Sequence, residues 1–196
     1  ELEAQRAEKE ALTARVNEVA ESAQAEIGAT LERAADVGAR AALMQIEGAL
    51  DTGAPYEAAL ADLGARDVPE GLAASAGSGV PTLAALQRDF PEAARAALSA
   101  VLKTQTEGAP ADRLSAFLRS QLGLRSLAPR AGDDADAVLS RAEAALAQGN
   151  VAGALSKLEA LPEAWLAEME TWQEGARARA EAIEAADALA RSLNSN

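Results

Sequence analysis

The residues that could perform chemistry lack the partners that catalysis requires. The chain of 196 residues contains no His and no Cys, which removes the commonest general base, the usual zinc ligands and the cysteine nucleophile. Serines such as Ser75, Ser78 and Ser115 therefore have no His to activate them. Ser156 and Lys157 are adjacent, but no motif of a Ser–Lys dyad surrounds them. We therefore expect a protein that is not an enzyme.

Acidic residues and glycines also fall short of a binding site. Asp133, Asp134 and Asp136 supply carboxylates, but a divalent ion needs six or more oxygen ligands arranged by a turn. Acidic residues at the start of a helix stabilise its positive end, so we interpret this triplet as a helix cap. The segment Gly77-Ser78-Gly79 lacks the further Gly and Lys of a phosphate-binding loop. The sequence therefore predicts neither a metal site nor a cofactor.

The composition indicates which elements must carry any function. Alanine supplies 53 residues, whereas aromatic residues make up 3% of the chain. Alanine favours helix and buries little area, while strands favour β-branched and aromatic residues, so we expect an all-α protein with a thin core. The net charge of −13 argues against a nucleic-acid partner. No apolar run reaches the roughly 18 residues of a membrane span.

Residues 1–27 have the pattern of the end of a coiled coil. Charged residues surround a narrow apolar seam in which Leu12, Val16, Val19 and Ala23 follow the 4-3-4 spacing of a heptad repeat. Because the chain begins at Glu1 without Met, we expect a fragment or a processed form of a longer protein. The seam is weak, which favours pairing with a second copy that supplies the missing apolar burial.

Residues 28–52 are predicted to form an amphipathic helix in a shifted register, which Thr52-Gly53 ends. Two interpretations of this helix remain open. In the first, it continues a self-association seam whose candidate residues are Leu12, Val16, Val19, Ile27, Leu31, Ile46 and Leu50. In the second, it lies in a membrane interface, with the candidate contacts Arg33, Arg40, Leu43, Met44 and Ile46. Glu32, Asp36 and Glu47 oppose deep insertion into anionic lipid.

Residues 53–196 are predicted to form a compact bundle of short helices. Prolines recur where helices are expected to begin, at Pro55, Pro81, Pro91 and Pro162. Two helices, over 133–148 and 151–161, are joined by Gly149-Asn150 and resemble one tetratricopeptide unit, so a peptide groove between 133–161 and 162–193 is a further alternative.

The segment 101–150 is neutral overall, unlike the acidic remainder of the chain. Its arginines Arg113, Arg119, Arg125 and Arg130 are interleaved with Phe117 and several leucines. One interpretation is a basic patch that meets phosphate headgroups or an acidic partner. The other is internal salt bridging to the acidic helices of the bundle.

Several short segments between Ala49 and Trp172 resemble those of a known protein family. The order and spacing of short segments over about 40–190 resemble the C-terminal part of the mitofilin family, and more closely its alphaproteobacterial members. The segments are Ala49-Leu50-Asp51-Thr52-Gly53-Ala54-Pro55-Tyr56, Gly79-Val80-Pro81-Thr82-Leu83, Phe90-Pro91-Glu92-Ala93-Ala94-Arg95, Leu124-Arg125, Gly149-Asn150 and the pair Trp165 and Trp172.

The resemblance implies a structural role. Mitofilin is a core subunit of the system that organises cristae junctions, anchored in the inner membrane by one N-terminal span that a long coiled coil follows. Its C-terminal part faces the intermembrane space, or the periplasm in bacteria. The family self-associates, binds and shapes membranes through an amphipathic segment before the C-terminal domain, and contacts barrel-assembly proteins of the outer membrane. Here that segment corresponds to residues 27–50.

This sequence departs from the family pattern in its missing anchor and in a candidate membrane helix that is not strongly basic. The function expected from the resemblance is a membrane-organising scaffold that self-associates. The alternative is a periplasmic protein-interaction module, or a dimerisation domain without lipid contact.

Overall fold

The computed structural model describes residues 1–64, 66–106 and 135–195, and within these ranges the regular structure is entirely α-helical. The expected all-α class, with a long N-terminal helix and a bundle of shorter ones, is confirmed. The helices of the described ranges, in chain order, are α1 (Leu2–Thr52), α2 (Glu57–Ala61), α3 (Glu70–Ala73), α4 (Leu83–Thr106), α5 (Ala135–Ala147), α6 (Val151–Leu158), α7 (Glu163–Glu168) and α8 (Glu170–Ser195).

Helix α1 runs unbroken through residue 27, where two segments were expected to meet. A shift of apolar register changes the direction of the apolar face but removes no backbone hydrogen bond, so the helix continues. Its 51 residues span about 76 Å at roughly 1.5 Å per residue. The predicted stop is confirmed, because Gly53 adopts a left-handed conformation with φ of 77° and its N–H donates to the carbonyl of Ala49.

Two apolar clusters hold the bundle together, and α8 belongs to both of them. The first cluster joins the C-terminal end of α1 to α2, α3 and the second half of α8, with Ile46 and Leu72 at its centre. The second cluster joins α4, α5, α6 and α7 to the first half of α8. There the rings of Phe90 and Trp172 meet edge to face at 5.0 Å, and the indole N–H of Trp172 donates to the carbonyl of Leu86. The second cluster also fills the space in which a peptide groove was considered.

Two predicted helix boundaries were wrong. Pro91 lies inside α4 instead of beginning a helix, and it removes one intrahelical hydrogen bond. The helix continues because Phe90 and Ala97, on either side, are buried in the second cluster. The helix that the sequence predicts to begin at Pro162 is divided into α7 and α8 at Met169. The side-chain amide of Gln173 in α8 donates to the Leu166 carbonyl of α7 at 2.8 Å and links the two helices.

Helices α1 and α8 pack antiparallel. Arg40 of α1 donates to the carbonyl of Leu193 at 3.0 Å, whereas Leu50 of α1 accepts from Arg179 at 2.7 Å, so the residue numbers run in opposite directions. The end of α8 at Ser195 therefore lies near residue 37 of α1. The first buried residue of α1 is Ala39, and the preceding part of the helix projects beyond the bundle by about 50 Å.

The contact between α3 and α8 leaves no space for a side chain at Gly71. A Cβ atom there would lie 2.9 Å from the carbonyl oxygen of Glu181, which is backbone and cannot swing away. We expect Gly71→Ala to lower the free energy of unfolding by about 1–3 kcal/mol, as measured by urea denaturation. In the control Gly28→Ala, the new methyl group has nothing within 4 Å. Replacing a glycine inside a helix should raise the free energy of unfolding by at most about 1 kcal/mol. Equal stabilities of the two variants would contradict the close contact.

Candidate interaction surface on helix α1

Helix α1 has two apolar faces, and the bundle uses one of them. The face toward the bundle consists of the buried residues Ala39, Ala42, Leu43, Ile46 and Leu50. Met44 points the other way, because two residues correspond to a rotation of about 160° around a helix. Accordingly, Ile46 is fully buried while Met44 is 68% exposed and Val37 is 65% exposed.

The outward apolar face extends along most of α1, and we call it the outer stripe. Its large side chains are exposed, at Leu12, Val16, Val19, Ile27, Val37 and Met44. Smaller exposed residues complete the row, at Ala23, Thr30, Ala34, Ala41 and Gly48. All these positions lie within about 60° of one line along the helix. The stripe is about 54 Å long, measured from Leu12 to Gly48 at the usual helical rise.

The spacing of the outer stripe is that of a coiled coil with one interruption. Steps of four and three residues alternate from Leu12 to Ala23 and again from Ile27 to Gly48. Between Ala23 and Ile27 a second step of four follows directly, which is the stutter that locally unwinds a supercoil. The apparent register shift at Ile27 is therefore a single stutter within one continuous stripe.

The five candidate membrane contacts do not form one surface. Leu43 and Ile46 are buried in the first cluster, so neither side chain is free to enter a membrane while the bundle is folded. Arg40 binds the carbonyl of Leu193 at the end of α8. Arg33 and Met44 are exposed on the outer side of the helix, and Val37 lies between them.

The candidate self-association residues are divided in the same way. Leu12, Val16, Val19 and Ile27 lie on the outer stripe, and Leu31 is exposed at its edge. Ile46 and Leu50 belong instead to the core. Sequence reasoning missed Val37 and Met44 as members of the stripe, because the positions between them and around them are mostly small and the larger residues nearby face the bundle. The basic patch of Arg113, Arg119, Arg125 and Arg130 lies outside the described residues.

Arg179 of α8 binds both the end of α1 and the segment before α4. Its side chain is buried and one terminal nitrogen donates to the carbonyl of Leu50 at 2.7 Å and to that of Pro81 at 3.2 Å. The positive charge faces the negative end of the α1 dipole. Burial lowers the pKa of the guanidinium, and the nearby carboxylate of Asp51, 4.0 Å away, partly opposes that shift. The buried Nε atom has no hydrogen-bond partner.

Two further contacts fix the direction in which α1 leaves the bundle. Asp36 forms an ion pair with Arg66 of the segment between α2 and α3, and Arg40 binds the end of α8. Both contacts lie on α1 within one turn of its first buried residue, Ala39. The projecting part of α1 is therefore held as an extension of a packed helix.

Tyr56 ties the turn after α1 to α3, and its titration reports on that contact. Its hydroxyl donates to the carbonyl of Leu72 at 2.9 Å. Desolvation on burial raises the pKa of Tyr56, while a hydrogen bond with Ser75 lowers it by less. Because the pKa is higher in the folded than in the unfolded chain, this stabilisation is complete below about pH 10 and is lost as the pH rises through the folded value.

We expect the phenolate absorbance of the native protein to appear above the pH at which it appears in urea-unfolded protein. Tyr56 is the single tyrosine of the chain, so the signal is unambiguous. In Tyr56→Phe the corresponding loss of stability at alkaline pH should disappear. Identical titration of the folded and unfolded protein would contradict the buried contact.

The remaining surface of the described residues offers little for chemistry. A groove of about 500 Å³ between α3 and α8 is lined by three glutamates, Gly71 and three alanines. The glutamates are Glu70, Glu181 and Glu184. In the described ranges, however, no three acidic side chains come together in a way that could hold a metal ion. The outer stripe is therefore the feature on which a function can be argued.

Comparison of the chain with protein-family models, with curated proteins and with solved structures finds no match. Among the described helices, none combines the length and the apolar character needed to cross a membrane.

Proposed function

We propose that the protein is a non-enzymatic scaffold that self-associates and helps to bind and shape an inner membrane. The observation that carries the proposal is the outer stripe, a continuous row of exposed apolar side chains on a helix that the bundle holds by its other face. Covering such a row with another apolar surface is favourable. In this proposal the bundle is the base and α1 is the element that makes contacts.

The membrane part of the proposal is supported by the resemblance to the mitofilin family. By that resemblance the protein is anchored in the inner membrane with this part in the periplasm, and barrel-assembly proteins of the outer membrane are among its partners. On α1 the lipid contact would be made by the exposed Arg33; Val37 and Met44 lie on the same side of the helix and are available to lipid only on chains that are not paired through the outer stripe. Arg40 contributes less, because it binds the end of α8.

Sedimentation with lipid vesicles tests this assignment. The protein is expected to sediment with vesicles containing phosphatidylglycerol, and Arg33→Glu should lower the bound fraction several-fold because an exposed positive charge near an anionic surface is replaced by a negative one. The control is Arg88→Glu, which makes the same change at an exposed arginine of α4 that pairs with its neighbour Asp89. Equal binding of the two variants would contradict lipid contact through α1.

The second candidate function is a protein-interaction module without lipid contact. It is favoured by the burial of Leu43 and Ile46, which leaves the candidate membrane surface with few apolar side chains to insert. It predicts self-association of the wild-type protein and no sedimentation with vesicles of any composition.

A further inference from the structure

The outer stripe can pack against one more helix, and the charged residues beside the stripe decide the orientation of that helix. Val37 and Met44 are exposed beside the bundle, so a helix can lie along the stripe without displacing α8 or any part of the core. We infer that two copies of this chain pair through their outer stripes as a parallel coiled coil, with each residue of the stripe facing its own counterpart. This inference rests on the proposed self-association and adds the orientation and the register.

In a paired coil, each residue of the stripe and the residue opposite it in the second copy form one layer. Two arrangements bring every layer of the stripe into contact. One is parallel and in register. The other is antiparallel and centred between Glu26 and Ile27, so that Val19 lies opposite Ala34 of the second copy and Val16 lies opposite Val37. Other antiparallel offsets misalign the layers around the stutter, because the stutter of one helix then meets a regular heptad of the other.

The antiparallel arrangement brings like charges together. In a coiled coil, the residue directly before the first apolar position of each heptad, which here includes Lys9, Val16, Ala41 and Gly48, reaches across to the partner helix. These residues include Glu8, Arg15, Arg40 and Glu47. In the antiparallel register Glu8 meets Glu47 of the second copy, and Arg15 lies beside the position of Arg40, whose guanidinium is held by the carbonyl of Leu193; the symmetry repeats each pair. Two contacts between glutamates, and two approaches of Arg15 to a second positively charged residue, therefore oppose this arrangement.

The parallel arrangement avoids those contacts. The same residues then face the residue five positions further along the second copy. Glu1 meets Arg6, which is an attractive pair, while Arg15 meets Ala20 and Arg40 meets Gln45. Glu8 and Arg33 likewise face uncharged residues.

Lys9 is the one charged residue at a layer position of the parallel pair between Leu2 and Gly48. It meets its own counterpart there, and it also lies beside Glu8 of the second copy, whose charge is opposite. A lysine at such a position lowers stability but specifies the register and the number of strands. The parallel pair therefore places both bundles at the same end of the coil.

Disulfide trapping in this chain of 196 residues tests the orientation, because the chain has no Cys of its own. In the parallel pair, Val19→Cys lies opposite itself and should form a disulfide-linked dimer in most of the protein after mild oxidation. In the antiparallel pair, the two Val19 positions are about 22 Å apart along the coil axis, far beyond the reach of a disulfide. The control is Glu21→Cys, which is exposed on the opposite side of the projecting helix and should stay unlinked.

The outcomes separate this inference from the proposed function. Efficient linking of Val19→Cys, without linking of Glu21→Cys, supports the parallel register. Linking only in a mixture of Val19→Cys with Ala34→Cys would overturn it in favour of the antiparallel pair, while self-association would survive. Sedimentation of the wild-type protein as a monomer of 20.1 kDa at all concentrations, together with no linking of any cysteine variant, would overturn both self-association and its register.

Discussion

Replacing Ile46 with Asp is expected to unfold the first cluster and to leave little native protein. Ile46 is fully buried among the residues that join α1 to α2, α3 and α8. The substitution removes an apolar side chain and buries a carboxylate without a partner, which together cost at least about 4 kcal/mol. That loss is comparable with the whole free energy of unfolding of a typical domain. The measurement is the urea unfolding transition followed by Trp fluorescence.

Met44→Asp is the matched control, because it places the same side chain two residues away on the other face of α1. Met44 is exposed, so its replacement should change the unfolding midpoint little. This variant should instead weaken self-association, since the charge enters the outer stripe. If Met44→Asp were as destabilised as Ile46→Asp, the two faces of α1 would not have the separate roles described above.

Replacing Arg179 with Ala is expected to lower the free energy of unfolding by about 2–4 kcal/mol. The variant leaves the carbonyls of Leu50 and Pro81 without their buried donor, at about 1–3 kcal/mol for each unsatisfied group, and it opens a cavity between the two clusters. The variant also no longer buries a charged guanidinium, whose desolvation is unfavourable, and this offsets part of the loss. Because Leu50 lies in the last turns of α1, we expect hydrogen exchange of the α1 end to accelerate most.

Asp51→Asn separates the two interactions of Arg179. The Asp51 side chain is 85% exposed and 4.0 Å from the guanidinium, so its charge contributes at most a few tenths of a kcal/mol. The variant should therefore unfold at nearly the wild-type urea concentration. A loss as large as that of Arg179→Ala would show that the ion pair, and not the carbonyl contacts, holds the end of α1.

The sequence predicted those features of the fold that depend on residues close together in the chain, such as helix formation and helix ends. The alanine content predicted helices, and Gly53 and Gly149 ended α1 and α5 as expected because both adopt positive φ values. Pro91 was misjudged because the packing of Phe90 and Ala97 overrides a local preference. The division at Met169 of the residues after Pro162 has no clear signal in the sequence pattern.

The outer stripe was predicted only in part, because α1 has two apolar faces and the sequence does not show which of them the bundle covers. The heptad over Leu12 to Ala23 was recognised, but beyond Ile27 the larger residues Leu43, Ile46 and Leu50 indicated a face that turns out to serve the bundle. Periodicity alone does not tell which apolar face of a helix its own chain will cover. Arg179 could not be recognised at all, because its partners Leu50 and Pro81 are distant in sequence.

Sedimentation equilibrium of the double variant Val19→Asp with Val37→Asp shows whether the chain self-associates through the outer stripe. Both residues are exposed on the outer stripe, and the control places the same two charges on another face of the same helix, at Ala25 and Ala35. We expect the masses of the wild-type protein and of the control to rise with concentration above 20.1 kDa toward twice that value, while the stripe variant remains a monomer with an unchanged unfolding midpoint. Association of the stripe variant as strong as that of the control would show that the outer stripe is not the self-association surface.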